Sequence, residues 1–451
     1  MRFALVTSSI VAALVTSAAL ALDGNLDPAF GTNGQVVFAV GSGPAHARSA
    51  AVTEAGLVVV GDLETFAGDF DFFAVLLDSA GNVAGTSGPI PFDLVASGID
   101  LSESVAAAPG GKVVVAGTVE AGGGLTYLGI VRLDAATLAL DNTFGVGGKV
   151  VVGIPALVFV DSDVAVLDDG SILVGCTWGD PNLANRDFGV FKLEPDGTRD
   201  SSFAGSGLAT VAFDFGAGGF DPFRALAVQP DGKIVLAGAA QWGATDFDFA
   251  VARLLPTGYP DTGFGPYGTG KQFVAFDLDS NATDVAADVA IAADGRIALA
   301  GYASQTPVSG GAVAMLNSYG NLDSSFDFDG RQAVFWIGNV GVNEITGAAF
   351  ESDGTLFLSG NAYWQWGSQG NLGVARLLPD GSYDCSFYGC FHMYDLDAGW
   401  EYSHATTLDG GRPLLVGSRV GDWAVVRLTN ALVFRDGFEN GSTSAWSLTH
   451  P

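Results

Sequence analysis

Two short apolar runs joined by a tight turn form the most regular pattern along this chain. Residues 225–229 and 233–237 are largely apolar and have the length of β-strands, and Pro230-Asp231-Gly232 lies between them. The proline fixes φ and the glycine is free to adopt a positive φ, as a tight turn requires. The pattern predicts a β-hairpin, and variants of it occur seven times along the chain.

A second motif, which we call the anchor, recurs between the hairpins. It reads Leu-Asp-Pro-Ala-Phe-Gly at residues 26–31, and its aspartate position returns at residues 84 (Ala in a degenerate copy), 141, 200, 261, 323 and 384. A steady period of about 60 residues indicates one repeated supersecondary unit. Each unit contains a strand after the anchor, the two hairpin strands and a further strand such as residues 249–254, with no helical period.

The predicted fold is an all-β, seven-bladed β-propeller of four-stranded antiparallel blades. Strands such as residues 234–237 are apolar on both faces and must be covered on both sides. Four-stranded sheets packed face to face around an axis provide that cover, and an open β-solenoid with shorter repeats is the alternative. The second hairpin strand of each unit is expected to end at a glycine, at Gly61, Gly117, Gly175, Gly238, Gly301, Gly360 and Gly417.

The phase of the repeat predicts how the ring closes. If the first hairpin strand is innermost, each blade takes its outer strand from the anchor of the next unit. The last hairpin (residues 403–417) and the last third strand (residues 423–428) then lack an outer strand, whereas residues 26–40 lack a hairpin. Pairing these segments removes two exposed strand edges, so the N-terminal strand is expected to close the ring.

The combined pattern resembles a known family of repeats. It reads Asp-x-x-Phe-Gly, then Ala-x-Ala-Val-x-Pro-Asp-Gly-Lys-Ile-Val-x-Ala-Gly, then Asp-Phe-Ala-Val-Ala-Arg-Leu, and it is similar to the delta-60 repeat of bacterial surface and secreted proteins. The resemblance covers about residues 26–428, and the first unit departs from it most. It implies a propeller-like repeat and no established chemistry.

Charge and termini indicate an exported protein. The 451 residues carry a net charge of −30, which repels nucleic acid and anionic membrane surfaces. Residues 1–21 have the features of a secretory signal peptide, residues 22–431 form the predicted propeller, and residues 432–451 form a C-terminal tail. The tail is interpreted as a sorting or attachment signal or as a weakly ordered terminus. We expect a monomer without a transmembrane segment, extracellular or periplasmic, with attachment to the cell surface as an alternative.

Residues that usually carry catalysis or bind metals are sparse. Cys385 and Cys390 lie close enough in sequence to pair in an oxidising compartment, and Cys176 is interpreted as a small buried residue. The four histidines lack metal-ligand spacing to one another or to a cysteine. Residues 327–330 resemble part of a calcium loop without its remaining ligands, so we expect no cofactor, with calcium as the alternative.

A basic residue ends the third strand in five units, at Arg132, Lys192, Arg253, Arg376 and Arg427. These residues could form a ring of anion-binding cations. However, Arg253 and Asp261 lie symmetrically about Thr257 and should face each other across the connecting turn. The spacing therefore favours structural ion pairs, and closure of the ring predicts that Arg427 pairs with Asp27.

Tryptophans indicate a candidate ligand-binding face. The loops between second and third strands and the loops between blades should emerge together, and aromatics beside carboxylates suit a sugar or a protein partner. Our candidate ligand-binding residues are Trp178, Trp242, Trp336, Trp364, Trp366, Trp400, Asp214, Asp277 and Asp395. The alternative is that the rings fill gaps between blades. The opposite face, formed by Pro-Asp-Gly-type turns, is expected to carry almost no aromatics and to be inert.

These features favour an exported, non-catalytic binding or interaction scaffold whose ligand is carbohydrate or protein. The alternative is a propeller enzyme, a glycan hydrolase or lyase, with loop carboxylates as general acid and base. No catalytic residue is assigned, because propellers host both functions. Convergence of Asp214, Asp277 and Asp395 on one pocket would favour the enzyme.

Overall fold

The computed structural model describes fifteen segments of the chain, all between residues 24 and 429. They are residues 24–41, 43–123, 125–157, 161–179, 185–213, 219–243, 246–276, 278, 283–305, 308–335, 341–364, 370–387, 390–394, 401–419 and 421–429. The segments assigned from sequence to a signal peptide and a C-terminal tail lie outside the described residues.

The described residues form seven four-stranded antiparallel blades, each running from an innermost to an outermost strand. Blade 1 comprises β2 (Ala45–Thr53), β3 (Gly56–Phe66), β4 (Asp69–Leu77) and β5 (Val83–Thr86). Blade 2 comprises β6 (Asp100–Ala108), β7 (Lys112–Gly122), β8 (Leu125–Asp134) and β9 (Lys149–Leu157). Blade 3 comprises β10 (Ser162–Val166), β11 (Ile172–Gly179), β12 (Arg186–Leu193) and β13 (Leu208–Val211), with a 3-10 turn at Phe203–Gly205.

The remaining four blades have the same order. Blade 4 comprises β14 (Phe223–Val228), β15 (Ile234–Gln241), β16 (Phe247–Leu254) and β17 (Lys271–Val274). Blade 5 comprises β18 (Asp284–Ile291), β19 (Ile297–Gln305), β20 (Val308–Leu316) and β21 (Arg331–Val334). Blade 6 comprises β22 (Gly341–Phe350), β23 (Leu356–Trp364), β24 (Gly370–Leu377) and β25 (Phe391–Tyr394). Blade 7 comprises β26 (Glu401–Asp409), β27 (Arg412–Arg419), β28 (Asp422–Arg427) and β1 (Gln35–Phe38).

The predicted seven-bladed propeller and its closure are both confirmed. Strand β1 pairs antiparallel with β28, with Gln35 opposite Val426 and Phe38 opposite Trp423. Gly24 donates from its N–H to Thr429 O at 3.0 Å, and Thr429 returns a bond to Asn25 O at 2.7 Å. The first described residues thus supply the outer strand and connecting turn that blade 7 would otherwise lack.

The core lies between the blades. Seven clusters of buried apolar side chains each join two neighbouring blades, which accounts for strands that are apolar on both faces. Between blades 3 and 4, for example, Phe188 meets Phe223 edge-on with ring centroids 5.9 Å apart. Trp423 of blade 7 is fully buried against Phe73 of blade 1.

The expectation that second strands end at a glycine is wrong. Strand β15 runs through Gly238 to Gln241, and Gly238 lies opposite Phe223, beside the irregularity at Arg224. A Cβ at Gly238 would collide with the carbonyl oxygen of Pro222. The glycine therefore permits the close approach of a β-bulge in the innermost strand and does not end the second strand.

A buried ion pair connects the third strand of a blade to its anchor, as the spacing predicts. In blade 4, Arg253 Nε donates to Asp261 Oδ2 at 2.9 Å, and both residues are buried. The guanidinium lies over the ring of Phe264, 4.5 Å from its centroid. Arg253 Nη1 also donates to Ser318 O of blade 5 at 2.6 Å, so one side chain connects two blades.

The same ion pair recurs around the ring, including the seam. The other pairs join Arg132 to Asp141, Lys192 to Asp200, Arg376 to Asp384, and Arg427 to Asp27, at 2.9, 3.1, 2.7 and 2.8 Å. The last pair spans 400 residues of sequence. These cations are structural, and in blade 5 Met315 occupies the equivalent position.

We predict that Arg253→Met, which copies Met315 of blade 5, lowers the free energy of unfolding by up to about 3–5 kcal/mol, because it leaves the buried Asp261 carboxylate with only the more distant Lys233 as a counter-ion. Adding Asp261→Asn should recover part of the loss in a double-mutant cycle. Lys233→Met is the matched control, since Lys233 is more exposed, contacts Asp261 at 3.5 Å, and should contribute at most about 1 kcal/mol. Equal losses for the two single variants in urea unfolding would contradict this assignment.

We also predict that deleting residues 22–40 exposes the edge of β28 and promotes aggregation. A chain ending at Thr429 is the control, because it retains every described strand. Light scattering and thermal melting measure the effect. A deletion variant that remains monodisperse with unchanged melting would show that the seam does not stabilise the ring.

Candidate functional site

The innermost strands surround a central channel and carry a repeated irregularity. Because the blades are antiparallel meanders, loops between second and third strands and loops between blades share one face, here called the upper face. Hairpin turns and loops between third and fourth strands form the lower face. Near the upper end of six innermost strands the register shifts by one residue, at Arg48, Glu103, Arg224, Ala287, Thr346 and His404.

These bulge residues line the upper mouth of the channel. Together with Asp161 and Ser162 of blade 3, they border a cavity of about 370 Å³. Tyr302 and Glu344 complete its polar wall. A bulge places an extra residue that the sheet does not need for pairing, so its side chain is available to the channel. The cavity is therefore lined by one to three residues from every blade.

Both arginines at the mouth are ion-paired. Arg48 Nε donates to Asp62 Oδ1 at 3.0 Å, and His46 Nδ1 lies 2.8 Å from the other carboxylate oxygen. Arg224 Nη1 donates to Asp161 Oδ1 at 2.6 Å, and both side chains are partly exposed. Each guanidinium uses one nitrogen in these bonds. Within the described part of the chain, its other N–H groups are available to a ligand.

Glu103 has the most altered acid–base behaviour at the mouth. Its Oε2 accepts a hydrogen bond from Ser162 N at 2.6 Å. Burial, and then the charge of Asp161, raise the pKa of Glu103 to about 8, so it is mainly protonated at neutral pH. Burial also raises the pKa of Asp161, although Arg224 opposes the shift. The mouth thus contains a neutral carboxyl group beside an ion-paired one.

Neutral groups complete the site. Burial, and then the charges of Arg48 and His46, lower the pKa of His404 to about 3, so its imidazole is neutral at physiological pH. Thr346 Oγ1 is a buried hydroxyl oxygen that has no hydrogen-bond partner among the described residues. The side chain of Ser162 lies beside Glu103, whose pKa it lowers against the larger effect of burial. Both residues line the cavity.

Below the mouth, acidic and hydroxyl side chains link successive inner strands. Asp163 Oδ2 accepts from Leu226 N at 2.8 Å, and Asp288 Oδ2 accepts from Ala348 N at 2.7 Å. Burial raises the pKa of Asp288 to about 7 and raises that of Asp163. Ser104 plays the same role with Val164 N at 3.3 Å. These groups join blades and are structural.

The structure describes few of the ligand-binding residues predicted from sequence. Trp242 is 50% exposed on the upper face, and its ring lies 5.6 Å from that of Phe273. Trp178 is half-buried and packs edge-on against Phe191 at 6.0 Å. Trp364 ends β23, and its side chain lies outside the described part. Also outside it are Trp336, Trp366, Trp400, Asp214, Asp277 and Asp395. Their roles in binding stay predictions.

The expectation that the lower face carries almost no aromatics is wrong. Tyr259, Tyr267, Tyr319 and Phe328 are each more than half exposed there. They lie in the loops between third and fourth strands of blades 4 and 5, which share this face with the hairpin turns. These aromatic residues are not part of the repeat motif, so a prediction based on the Pro-Asp-Gly-type turns alone does not include them.

The remaining sequence candidates are structural where described. Cys385 and Cys390 form a disulfide, and Cys176 is buried with its pKa raised by burial. No group of three or more His, Cys, Asp or Glu side chains among the described residues is arranged to hold a metal ion. In the same residues no helix is long and apolar enough to cross a membrane.

The ring of bulge residues was not identified from the sequence. A usable pattern exists, since Arg48, Glu103, Arg224, Ala287 and Thr346 each lie eight positions before the hairpin-turn glycine of their unit. Polar residues at a position that interrupts an apolar strand would have indicated the channel. The bulge itself becomes visible only when the pairing register is known.

Comparison with protein families supports the repeat architecture. Residues 109–144, 167–203, 229–264, 292–326 and 351–387 match the family model described as "Domain of unknown function (DUF5122) beta-propeller". Each matched segment ends at the anchor phenylalanine of blades 2 to 6. A search of curated proteins finds no match.

Solved structures resemble the chain in fold. Puromycin hydrolase matches with 15% identity and a TM-score of 0.47 over 91% of this chain, which spans 57% of that protein. BamB from Moraxella catarrhalis matches with 13% identity and a TM-score of 0.40, over 85% of this chain and 83% of that one. The α-L-arabinanase of Penicillium chrysogenum, solved with arabinobiose, has 13% identity and a TM-score of 0.44 over 72% and 92%. Such distant likenesses carry no functional argument; the chain is a β-propeller built from repeats.

We predict that Glu103 makes the stability of the protein depend on pH. Its folded pKa of about 8 lies above the ordinary 4.5, so its stabilising contribution is complete below pH 4.5 and is lost as pH rises towards 8. The melting temperature of Glu103→Gln relative to the unsubstituted protein should therefore rise across this window. Glu54→Gln, at an exposed glutamate in the β2–β3 turn, is the control. A Glu103→Gln difference that stays constant from pH 4.5 to 9 would refute the assignment.

Proposed function

We propose that this protein is an exported, non-catalytic binding protein that takes a carbohydrate at the upper mouth of its central channel. The observation that carries the proposal is the cavity hydroxyl Thr346 Oγ1, which is buried and has no partner among the described residues. Buried polar groups are rarely left unpaired, so a ligand that supplies a hydrogen bond accounts for it. The signal-peptide features of residues 1–21 support export.

The chemistry of the mouth suits a hydroxyl-rich ligand. Arg48 and Arg224 offer donors, and Asp161 and Glu344 offer acceptors. The two arginines are each balanced by an aspartate, so the site has no strong preference for a charged ligand. A sugar hydroxyl both donates and accepts. The cavity volume of about 370 Å³ falls within the usual range for small-molecule sites, about 300–1,000 Å³.

We propose that aromatic residues elsewhere on the upper face add to the binding surface. Half-exposed Trp242 offers a ring on which the apolar face of a sugar can stack. We include in the proposed surface the other tryptophans and aspartates predicted from the sequence. We also propose that the repeats belong to the delta-60 family, that the protein is a monomer, and that it needs no cofactor.

One observation favours a second candidate, a glycan hydrolase. Glu103 carries a proton at neutral pH beside Asp161, and glycosidases use a protonated and an ionised carboxyl group. Asp161 Oδ1 is, however, held by Arg224 at 2.6 Å, and Glu103 Oε2 is held by Ser162 N at 2.6 Å. Binding without turnover is therefore the better interpretation.

We predict that the purified protein binds members of a glycan array without releasing reducing sugar. Thr346→Val removes an unpaired hydroxyl, so it should weaken binding of the best glycan about 2- to 10-fold without lowering the melting temperature. Ser162→Ala removes a second cavity hydroxyl and should weaken binding by a similar factor. Trp242→Ala should weaken it about 3- to 10-fold. Tyr267→Ser, on the lower face, is the matched control and should bind normally.

Two results would overturn the proposal. The binding site is misplaced if Thr346→Val and Ser162→Ala bind the glycan as well as the unsubstituted protein. The non-catalytic assignment fails if a bound glycan is cleaved and Glu103→Gln abolishes cleavage.

A further inference from the structure

Four exposed aromatic side chains form an arc on the lower face. Tyr259 and Tyr267 belong to the loop between β16 and β17, and Tyr319 and Phe328 belong to the loop between β20 and β21. All four are more than half exposed, and Phe328 is 93% exposed. Large aromatic groups concentrated on one surface usually mark an interaction site.

Backbone hydrogen bonds hold these loops side by side. Gly265 donates from its N–H to Tyr319 O at 2.8 Å, which joins the anchor of blade 4 to the turn of blade 5. Asp327 donates in the same way to Asp380 O of blade 6 at 2.8 Å. The four aromatic residues therefore lie in two loops of adjacent blades that are joined by a backbone hydrogen bond.

The repeat provides an internal control for these positions. Thr198 of blade 3 corresponds to Tyr259, and Thr257 of blade 4 corresponds to Tyr319. Both threonines are small and polar, and their turns have the same backbone hydrogen bonds as the turns that carry the two tyrosines. The propeller does not need aromatic residues at these places, so packing does not explain them.

Phe328 is also held in an unfavourable backbone conformation. Its φ is 66°, and that of Asp327 is 44°. The corresponding loop of blade 3 has φ values of 49° at Ala204 and 74° at Gly205. Blade 3 thus places a glycine where blade 5 has a phenylalanine, and a bulky residue with positive φ is rare and costs free energy. A residue that is strained and solvent-exposed does not serve the stability of the fold.

The arc lies in a negatively charged region. Asp327 and Asp329 flank Phe328 in the chain, and burial followed by the charges of Asp329 and Asp380 raises the pKa of Asp327. Two nearby cations are already engaged, since Arg296 pairs with Asp294 at 2.8 Å and Arg253 binds Asp261 and Ser318. Arg331, two residues after Asp329, has a buried Nε without a hydrogen-bond partner among the described residues. A second copy of this chain, with net charge −30, would bring like charge to this surface.

We propose that this lower-face arc binds an arginine-rich, extended segment of a partner protein. Guanidinium groups stack on Tyr and Phe rings and pair with carboxylates, and the arc offers exposed rings along its length and aspartates at its Phe328 end. The site is on the face opposite the proposed glycan site, and the two proposals stand or fall separately.

The test is fluorescence anisotropy with a labelled ten-residue peptide of alternating arginine and glycine, at 150 mM salt. Phe328→Gly copies Gly205 of blade 3, and Tyr319→Thr copies Thr257 of blade 4. Neither substitution changes the net charge. Each should weaken binding about 3- to 10-fold. Phe328→Gly should keep or raise the melting temperature, because it relieves the strained φ. Phe66→Ser, at an exposed upper-face phenylalanine, is the charge-matched control and should bind normally.

Several results would overturn the proposal. If all variants bind the arginine–glycine peptide equally, the peptide is attracted only by the overall negative charge of the protein and not by the arc. Absence of peptide binding, or equal binding of a peptide with glutamate in place of arginine, would exclude a basic partner. A dimer that Phe328→Gly converts to monomer in sedimentation would make a second copy the occupant. Loss of glycan binding in Thr346→Val with unchanged peptide binding would keep the two sites distinct.

Discussion

Neighbouring blades are joined by a guanidinium that is removed from water and must therefore find partners. Arg253 satisfies this requirement through Asp261 of its own blade, the ring of Phe264 and the carbonyl of Ser318 in the next blade. The anchor, the third strand and the following turn are thereby held in one arrangement. The positions of the lower-face loops, and of the aromatic residues they carry, depend on this repeated contact. Leu76 in blade 1 and Met315 in blade 5 show that apolar packing can take its place at two of the seven interfaces.

The channel obeys a different constraint. Each bulge needs a glycine on the neighbouring strand, such as Gly238 opposite Phe223, but it places no demand on the side chain of the extra residue. Arginine, glutamate, alanine, threonine and histidine therefore occupy equivalent places around one axis. A repeat that is uniform in its core can in this way present a site that has no rotational symmetry. The side chains that determine ligand specificity therefore lie at positions whose identity the fold does not constrain.

Much of the fold could be predicted because residues that recur in each repeat occupy the same place in each blade. The recurring anchor gave the number of blades, and its phase gave the closure and the pairing of Arg427 with Asp27. The glycines were recognised but misinterpreted, since a close approach to a bulge cannot be distinguished from a strand end without the register. The site was harder to predict for the opposite reason: Glu103 and Arg224 are exceptions to the repeat. Phe328 was missed for the same reason, because it too departs from the repeat consensus.

Closure of the ring has a consequence for how the chain folds. Strand β1 is made early, but its partner β28 is among the last strands to be synthesised. Blade 7 cannot be completed until residues separated by 400 positions meet. Closing such a loop in an unfolded chain costs entropy before any contact repays it, whereas the six other blades draw their strands from neighbouring sequence and can form first, which brings the two ends together. Once joined, the seam prevents the terminal blades from peeling away one at a time.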